Sequence, residues 1–517
     1  MKIVAVATLA LAALVGAQSA DAASCVGLAR LRLPGAQVMQ AAIVRAGAFQ
    51  IDAVLLRDFG GALPGASNLP DFCRVVARMT PSADSDIRIE VWMPVSGWNG
   101  KFEGVGNGGW AGHLKEQEPT GDVVQVQSYF AMVNAVLHGY AAAATDTGHV
   151  GDAEDASFAL GHPERVVDFA YRAVHQMTTT AKRLVAAFYG RSAARAYWYG
   201  CSTGGMQGLM EAQRFPDDYD AIAAGAPANN WTHLMAGDVW LAQATHATPA
   251  SEIPPTKYPI VHKAALDACD AADGVRDGVI ADPTACRFDP GVLLCKQGDG
   301  ADCLTAPQVE AARKIYAGAR NPRTGEQVFP GLEPGSEMQW AVMAGGPEPP
   351  IVASFFKYLI FKNPAWDFRT LNFDRDVARA DAAEAKLLNA TNPDLDAFTS
   401  RGGKLLLYHG WSDGLIAPEN SVNYYESVLN RLRARDPPDG VRLFMIPGMG
   451  HCGDGDGPHQ FDQVAALDEW VNTKKAPQRI VATARRQGKT TTRPLCAYPS
   501  VPTYSGHGST DDAASFV

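Results

Sequence analysis

The segment Gly200-Cys201-Ser202-Thr203-Gly204-Gly205 carries the spacing G-x-S-x-G. It lies between a stretch that reads as a strand and one that reads as a helix, the context a nucleophilic serine requires. The Ser202 hydroxyl must project from a sharp turn above the end of a sheet, and the flanking glycines leave room for that turn. The helix that follows points its N-terminus at the site, and the Thr203 amide can donate to a developing oxyanion. A second amide is expected from Gly104-Val105-Gly106-Asn107-Gly108-Gly109-Trp110-Ala111-Gly112, after a strand near Lys101-Phe102. Either Gly108 or Gly109 is the expected donor. The same run resembles G-x-G-x-x-G, but no helix follows cleanly and the acidic residue of a dinucleotide site is missing.

A serine nucleophile of this kind takes its acid and base from later strands, acid first. Leu405-Leu406-Leu407-Tyr408 empties into His409-Gly410-Trp411-Ser412-Asp413-Gly414, and Leu443-Phe444-Met445-Ile446 into Pro447-Gly448-Met449-Gly450-His451-Cys452. His451 is therefore the expected general base and Asp413 the residue that orients it. His409 directly follows its strand and reads as packing, while Asp454 and Asp456 sit too near His451 and read as loop-shaping. Cys201 precedes the serine and Cys452 follows the histidine. If hydroxyl and imidazole meet, these sulfurs come within disulfide reach; the alternative is two unrelated buried cysteines. A metallohydrolase built on His451, Asp454, Asp456 and His459 is a competing chemistry that would survive loss of Ser202.

The elements around these residues alternate. Ile87–Trp92 alternates apolar and polar as a half-buried strand does, Ala141–Thr145 reads as a buried strand, and Arg165–Phe188 carries apolar residues at helical spacing. Ala194–Tyr199 and Tyr219–Ala224 read as strands around a helix over Gly205–Phe215. Lys404–Tyr408 and Arg442–Ile446 repeat the strand pattern around a helix at Asn420–Arg433. Strands alternating with helices predict a parallel α/β sheet. Residues 227–393, rich in Pro, Gly and Asp, have little strand pattern and read as an inserted lid domain. Its aromatics Trp340, Phe355, Phe356, Tyr358, Phe361, Trp366 and Phe368 are either lid core or a cover over an aromatic substrate. The expected organisation is a core over 24–226 and 394–517, interrupted by that lid.

The chain has 517 residues, 47% apolar and 19% charged, with a net charge of −10, which excludes a disordered chain. No basic stripe points to nucleic acid. Residues 1–23 read as a signal peptide: Lys2, an apolar run from Ile3 to Val15, then small residues. The mature chain would begin near Ser24, secreted or periplasmic, with no membrane anchor. Most of the nine cysteines should then pair. Cys269 and Cys286, like Cys295 and Cys303, are close enough to close local loops. Between the first two, Asp270, Asp273 and Asp277 crowd around Gly274 and Gly278, a density of hard oxygen ligands that suits Ca²⁺. The spacing is not that of an EF-hand, and a solvated acidic turn is the alternative.

The order Cys201-Ser202, Asp413, His451-Cys452 resembles the "CS-D-HC" pattern of the tannase and feruloyl esterase family, which also contains an esterase of mono(2-hydroxyethyl) terephthalate. The resemblance extends over nearly the whole mature chain, through Gly106-Asn107-Gly108-Gly109, Thr145-Asp146-Thr147-Gly148-His149, Gln213-Arg214-Phe215-Pro216, Gly225-Ala226-Pro227-Ala228 and His409-Gly410-Trp411-Ser412-Asp413. It implies an α/β-hydrolase core with a large inserted lid, and a secreted serine carboxylesterase acting on small esters of aromatic acids through an acyl-enzyme. Feruloyl esterase is the broadest such activity; tannase and terephthalate half-ester hydrolysis are alternatives, and a calcium-stapled binding protein on a hydrolase scaffold is the non-enzyme one. The resemblance implies structural Ca²⁺ held by the side chains of Asp270, Asp273 and Asp277 and the backbone oxygens of Val275 and Val279. It also implies the pairs Cys25–Cys73, Cys269–Cys286 and Cys295–Cys303. A C-terminal bridge usual in the family has no partner for Cys496 here, so that thiol is expected free, or the C-terminus loose.

Overall fold

The computed structural model describes residues 23–51, 56, 63–112, 124–344, 350–432, 439–486 and 488–517. All but the last residue of the expected signal peptide, 1–22 of 1–23, lies outside the described residues. Eleven strands carry the core and its C-terminal edge: β1 (Ala36–Val44), β2 (Phe72–Met79), β3 (Ile87–Pro94), β4 (Lys101–Val105), β5 (Ala141–Thr145), β6 (Arg195–Cys201), β7 (Ala221–Gly225), then β10 (Lys404–Gly410), β11 (Val441–Ile446), β12 (Arg479–Arg486) and β13 (Lys489–Cys496). The remaining two, β8 (Ala319–Arg320) and β9 (Gln327–Phe329), form a small ribbon between β7 and β10. Nine strands make one sheet in the order β1-β2-β3-β5-β4-β6-β7-β10-β11. From β5 to β11 every neighbouring pair is parallel; β1, β2 and β3 form an antiparallel flank. Helices cover both faces, which is an α/β-hydrolase fold with an additional region.

The parallel strands are buried on both faces, so they read as apolar runs: Ala-Ala-Ala-Ala-Thr in β5 and Ala-Ile-Ala-Ala-Gly in β7 have no exposed residue. β3 departs from its half-buried expectation, because Glu90 is fully buried. Glu90 accepts from Arg74 Nη2 at 3.0 Å, Trp92 Nε1 at 2.6 Å and Tyr129 Oη at 2.8 Å. A charge so paired can sit inside, and the polar half of the alternation turns inward. The helical reading over Arg165–Phe188 corresponds to Pro163–Val167 and Ala173–Tyr189, joined by a single π-turn at Asp168–Arg172.

β7 and β10 pair directly, although 227–393 lies between them in sequence. The intervening segment is helical apart from the β8–β9 ribbon. Trp340, Phe355, Phe356 and Phe368 are buried within it or against Trp110 of the core. Phe361 stacks on Trp366. The aromatic set is therefore packing. Four disulfides are formed, Cys25–Cys73, Cys201–Cys452, Cys269–Cys286 and Cys295–Cys303, and Cys496 is unpaired. The C-terminus is held: Val517 N donates to Thr503 O at 2.9 Å, and the Arg493 guanidinium lies 3.8 Å over the Phe516 ring. No described helix is long and apolar enough to cross a membrane.

One contact ties the intervening segment to the loop after β11. His262 Nδ1 lies 2.9 Å from Glu337 Oε2, and its Nε2 lies 3.0 Å from Asp456 Oδ2. Burial opposes the imidazolium, but Asp456 and Glu337 outweigh it and push the pKa up to about 9. A pKa raised on folding stabilises the fold fully below the ordinary value of 6.5, and that stability disappears as pH rises through about 9. The thermal midpoint is expected to fall between pH 6.5 and 9. His262→Gln lowers it at pH 6 and flattens the profile, as scanning calorimetry would record.

Candidate active site

Ser202 occupies the tip of the turn between β6 and the helix Thr203–Arg214, with φ 63° and ψ −123°. A non-glycine residue in that region is strained and persists only where its surroundings fix it. Here Ser202 N donates to Gly225 O at 2.9 Å, and Ser202 O accepts from Ala228 N at 3.1 Å and Met206 N at 3.1 Å. The turn is thus held by the end of β7 and by its own helix. Gly204 lies so close to the loop after β4 that an added Cβ would come within 3.1 Å of Gly106 Cα and Asn107 O. That approach explains the glycines of the sequence motif and lets Gly204 N donate to Asn107 O at 2.8 Å.

His451 follows β11 and Asp413 follows β10, as expected. Asp413 has no exposed surface, and its Oδ2 accepts from His451 Nδ1 at 2.8 Å and from His409 Nε2 at 3.0 Å. Its Oδ1 accepts from the amides of Leu415 at 2.8 Å and Ile416 at 2.9 Å. Burial would raise the Asp413 pKa, but the two imidazoles and their hydrogen bonds hold it well below the usual carboxylate range. With Nδ1 committed to Asp413, Nε2 is the ring nitrogen left to face Ser202, and both residues line one cavity. Cys201 and Cys452 are bridged with their Cα atoms 5.8 Å apart. The competing acids do not reach the imidazole: Asp454 supplies its carbonyl to Gly450 N, and Asp456 pairs with His262 and Arg486.

Three neighbours escape a reading based on spacing alone. His409 is buried against Asp413, with Nδ1 2.7 Å from Ser421 Oγ, so it supports the carboxylate as well as packing. Gln339, from the segment between β7 and β10, accepts from His451 N at 3.0 Å and Gly414 N at 3.1 Å. Gln125 distinguishes the surroundings of the two glycines. It clamps Gly108 from both sides, accepting from Gly108 N at 2.9 Å and donating to Gly108 O at 3.1 Å. Gly109 has φ 54°, and a Cβ there would collide with the Ala153 carbonyl oxygen. Its amide donates to no group among the described residues, while its carbonyl accepts from Thr203 Oγ1 at 2.6 Å.

The cavity holds about 450 Å³. Gly108, Gly109, Thr203 and Ser202 form its polar end; Trp231, Leu234, Met235, Val342, Met343, Ile351, Leu415 and Ile416 form apolar walls. Of the aromatics singled out between 340 and 368, none lines it. A separate, more polar crevice of about 500 Å³ includes neither Ser202 nor His451.

In the acidic loop, Asp270 accepts from the amides of Asp277 at 3.2 Å and Gly278 at 3.0 Å, and Asp273 from Val275 N at 3.1 Å. Asp277 pairs with Arg493, yet its Oδ1 is buried with no hydrogen-bond partner. Burial pushes Asp277 up to about 6 against the pull of Arg493, and also raises Asp273. Among the described residues, the one His/Cys/Asp/Glu group whose ligand atoms all converge within 4.8 Å is His175, Glu211 and Asp218. Neither the acidic loop nor the set His451, Asp454, Asp456 and His459 converges so closely.

Residues 73–517 match the family described as "Tannase and feruloyl esterase". The chain is 38% identical to an uncharacterized esterase of Xanthomonas campestris pv. campestris, over 98% of this chain and 93% of that protein. It is 33% identical to a probable feruloyl esterase B-1 of Aspergillus oryzae, over 85% of this chain and 82% of that one. The crystal structure of feruloyl esterase B from Aspergillus oryzae superposes with a TM-score of 0.84 at 29% identity, covering 95% of this chain and 99% of that one.

Removing the sulfur bridge tests how far it positions the histidine. The double substitution Cys201→Ala, Cys452→Ala is expected to lower kcat/KM on an aryl ester by about 100-fold, the cost of a displacement near 1 Å. Far-UV circular dichroism should stay unchanged, since Cys201 is only the last residue of β6 and the strand keeps its backbone pairing to β4 and β7.

Proposed function

The chain belongs to the tannase and feruloyl esterase family and is a carboxylic ester hydrolase; from that premise we propose that it cleaves esters of aromatic acids through a covalent intermediate on Ser202. The observation that carries this reading is the buried Asp413 carboxylate on His451 Nδ1, with the histidine bridged through Cys452 to the residue beside Ser202. His451 Nε2 takes the Ser202 proton as Oγ attacks the ester carbonyl. The amides of Thr203 and Gly109 receive the oxyanion, Gly108 being committed to Gln125. Collapse of the tetrahedral species breaks the ester C–O bond, and the alcohol leaves with the proton from His451. Water then repeats the sequence, releasing the acid and restoring Ser202. Asp413 keeps the imidazole in the required tautomer and stabilises it when charged.

Residues 227–393 serve as a lid: Val342, Met343 and Ile351 close the apolar side of the cavity. That side suits the ring of a hydroxycinnamate, and feruloyl esters are the substrates we assign first, ahead of gallate esters or mono(2-hydroxyethyl) terephthalate. The relative named a probable feruloyl esterase supports this order. The N-terminal segment and four disulfides support secretion to an oxidising compartment.

The acidic loop fits Ca²⁺. Three carboxylates face a single arginine, and the buried, unpartnered Asp277 Oδ1 is an oxygen in need of a cation. Asp270, Asp273 and Asp277 would hold it with the carbonyls of Val275 and Val279. Its contribution would be structural, joining the loop closed by Cys269–Cys286 to the C-terminal segment through Arg493 and the Tyr504 amide.

Ser202→Ala should reduce kcat on methyl ferulate by about 10⁴-fold or more, and Asp413→Asn by about 10⁴-fold. A fluorophosphonate should add to Ser202 of the wild type and to nothing in Ser202→Ala, read by peptide mass. Turnover of methyl ferulate by Ser202→Ala at the wild-type rate would refute the mechanism. Calcium removal with EGTA should lower the thermal midpoint, with recovery on adding Ca²⁺ and not Mg²⁺; Asp277→Asn should abolish that response.

A further inference from the structure

The apolar side of the cavity contains one group that the reaction does not use. Trp231, Leu234, Met235 and Asp238 project from one face of the helix Trp231–His246, and all four line the cavity. Three are apolar; the fourth is a carboxyl. Asp238 is 2% exposed, its Oδ2 is completely covered, and neither oxygen has a hydrogen-bond partner among the described residues. Among the described residues, no lysine or arginine lines the cavity. Stranding a carboxyl in this way destabilises the fold unless a ligand satisfies it. Burial, reinforced by the charge of Asp413, raises its pKa well above the carboxylate range, so the group is a neutral acid with one donor and one acceptor.

We propose that Asp238 recognises a ring hydroxyl of the acyl group, making the enzyme selective for phenolic acids over acids with an unsubstituted or an anionic ring. A phenol offers one donor and one acceptor, the complement of a neutral carboxyl. A ring carboxylate would instead bring a second acid beside Asp238, with no cationic side chain among the described lining residues to balance it, which disfavours terephthalate half-esters. The inference rests on the esterase reading above and adds the residue that sets the acyl specificity.

The test compares kcat/KM for methyl 4-hydroxycinnamate and methyl cinnamate, which differ by one hydroxyl, with mono(2-hydroxyethyl) terephthalate as the anionic ring. Wild type should favour the phenol by about tenfold or more, the worth of one buried hydrogen bond, and turn over the terephthalate most slowly. Asp238→Asn, which keeps a neutral donor and acceptor, should retain most of the preference; Asp238→Leu should bring the ratio of the two cinnamates close to one. Binding of 4-hydroxycinnamate and cinnamate to Ser202→Ala by calorimetry gives the same comparison without turnover, and should favour the phenol even if the leucine variant does not fold. A wild-type ratio near one, or a preference that survives Asp238→Leu, overturns the inference and leaves the esterase reading standing. Absence of turnover of every ester by the wild type overturns both.

Discussion

A covalent tie between two distant points of the chain governs the site. β6 delivers Ser202 and β11 delivers His451, and two other strands of the sheet, β7 and β10, lie between them. Parallel pairing alone fixes the strand ends to within a loop's freedom. The Cys201–Cys452 bridge removes that freedom at the one place where loop wander would separate a base from its nucleophile. Both bridged segments adopt positive φ, at Ser202 and at Cys452. Local strain there is retained because the sulfur link and the hydrogen bonds to Gly225 and Ala228 leave the backbone no relaxed alternative.

Two buried aspartates near His451 show how surroundings divide one chemical type into two behaviours. Asp413 accepts from two imidazoles and two amides, and remains ionised although no water reaches it. Asp238 has none of these partners, and burial pushes its pKa up. The difference lies in what surrounds each: two imidazoles and a turn with inward amides in one case, the apolar face of a helix in the other. The field between them favours the same assignment, since the charge on Asp413 raises the cost of charging Asp238.

Sequence alone revealed the parts whose chemistry is local. The glycine-flanked serine and the strand-to-loop positions of Asp413 and His451 depend on residues within a few positions of one another, and the Cys201–Cys452 pair, though 251 positions apart, follows from the adjacency of each cysteine to one of these residues. The strands of the parallel sheet were visible because burial on both faces leaves plain apolar runs. What stayed hidden depends on contacts between distant segments. β1 and β2 mix apolar residues with polar side chains such as Gln37, Gln40 and Arg74, and the last of these pairs with Glu90 on the neighbouring strand. His409 is an exception, since Asp413 lies only four residues on and its role depends on how the loop turns back. Gln339 and Gln125 carry no motif, being single polar residues whose partners lie elsewhere in the chain, and Asp238 carries none because its setting is a cavity and not a partner. The choice between Gly108 and Gly109 was open for the same reason, since it turns on where the Gln125 side chain reaches. The aromatic cluster from Trp340 to Phe368 invited a substrate-facing reading, whereas the segment needs most of those rings for its own interior.

Gln339 gives the segment between β7 and β10 a part in aligning the acid and base loops as well as covering the cavity. Its one carboxamide oxygen is shared by the loop after β10 and the loop after β11. The segment cannot therefore be treated as an interchangeable cassette. Replacing this stretch would exchange the brace of the Asp413 and His451 loops together with the cavity wall, so the shape of the cavity and the alignment of these two loops are mechanically linked in this architecture.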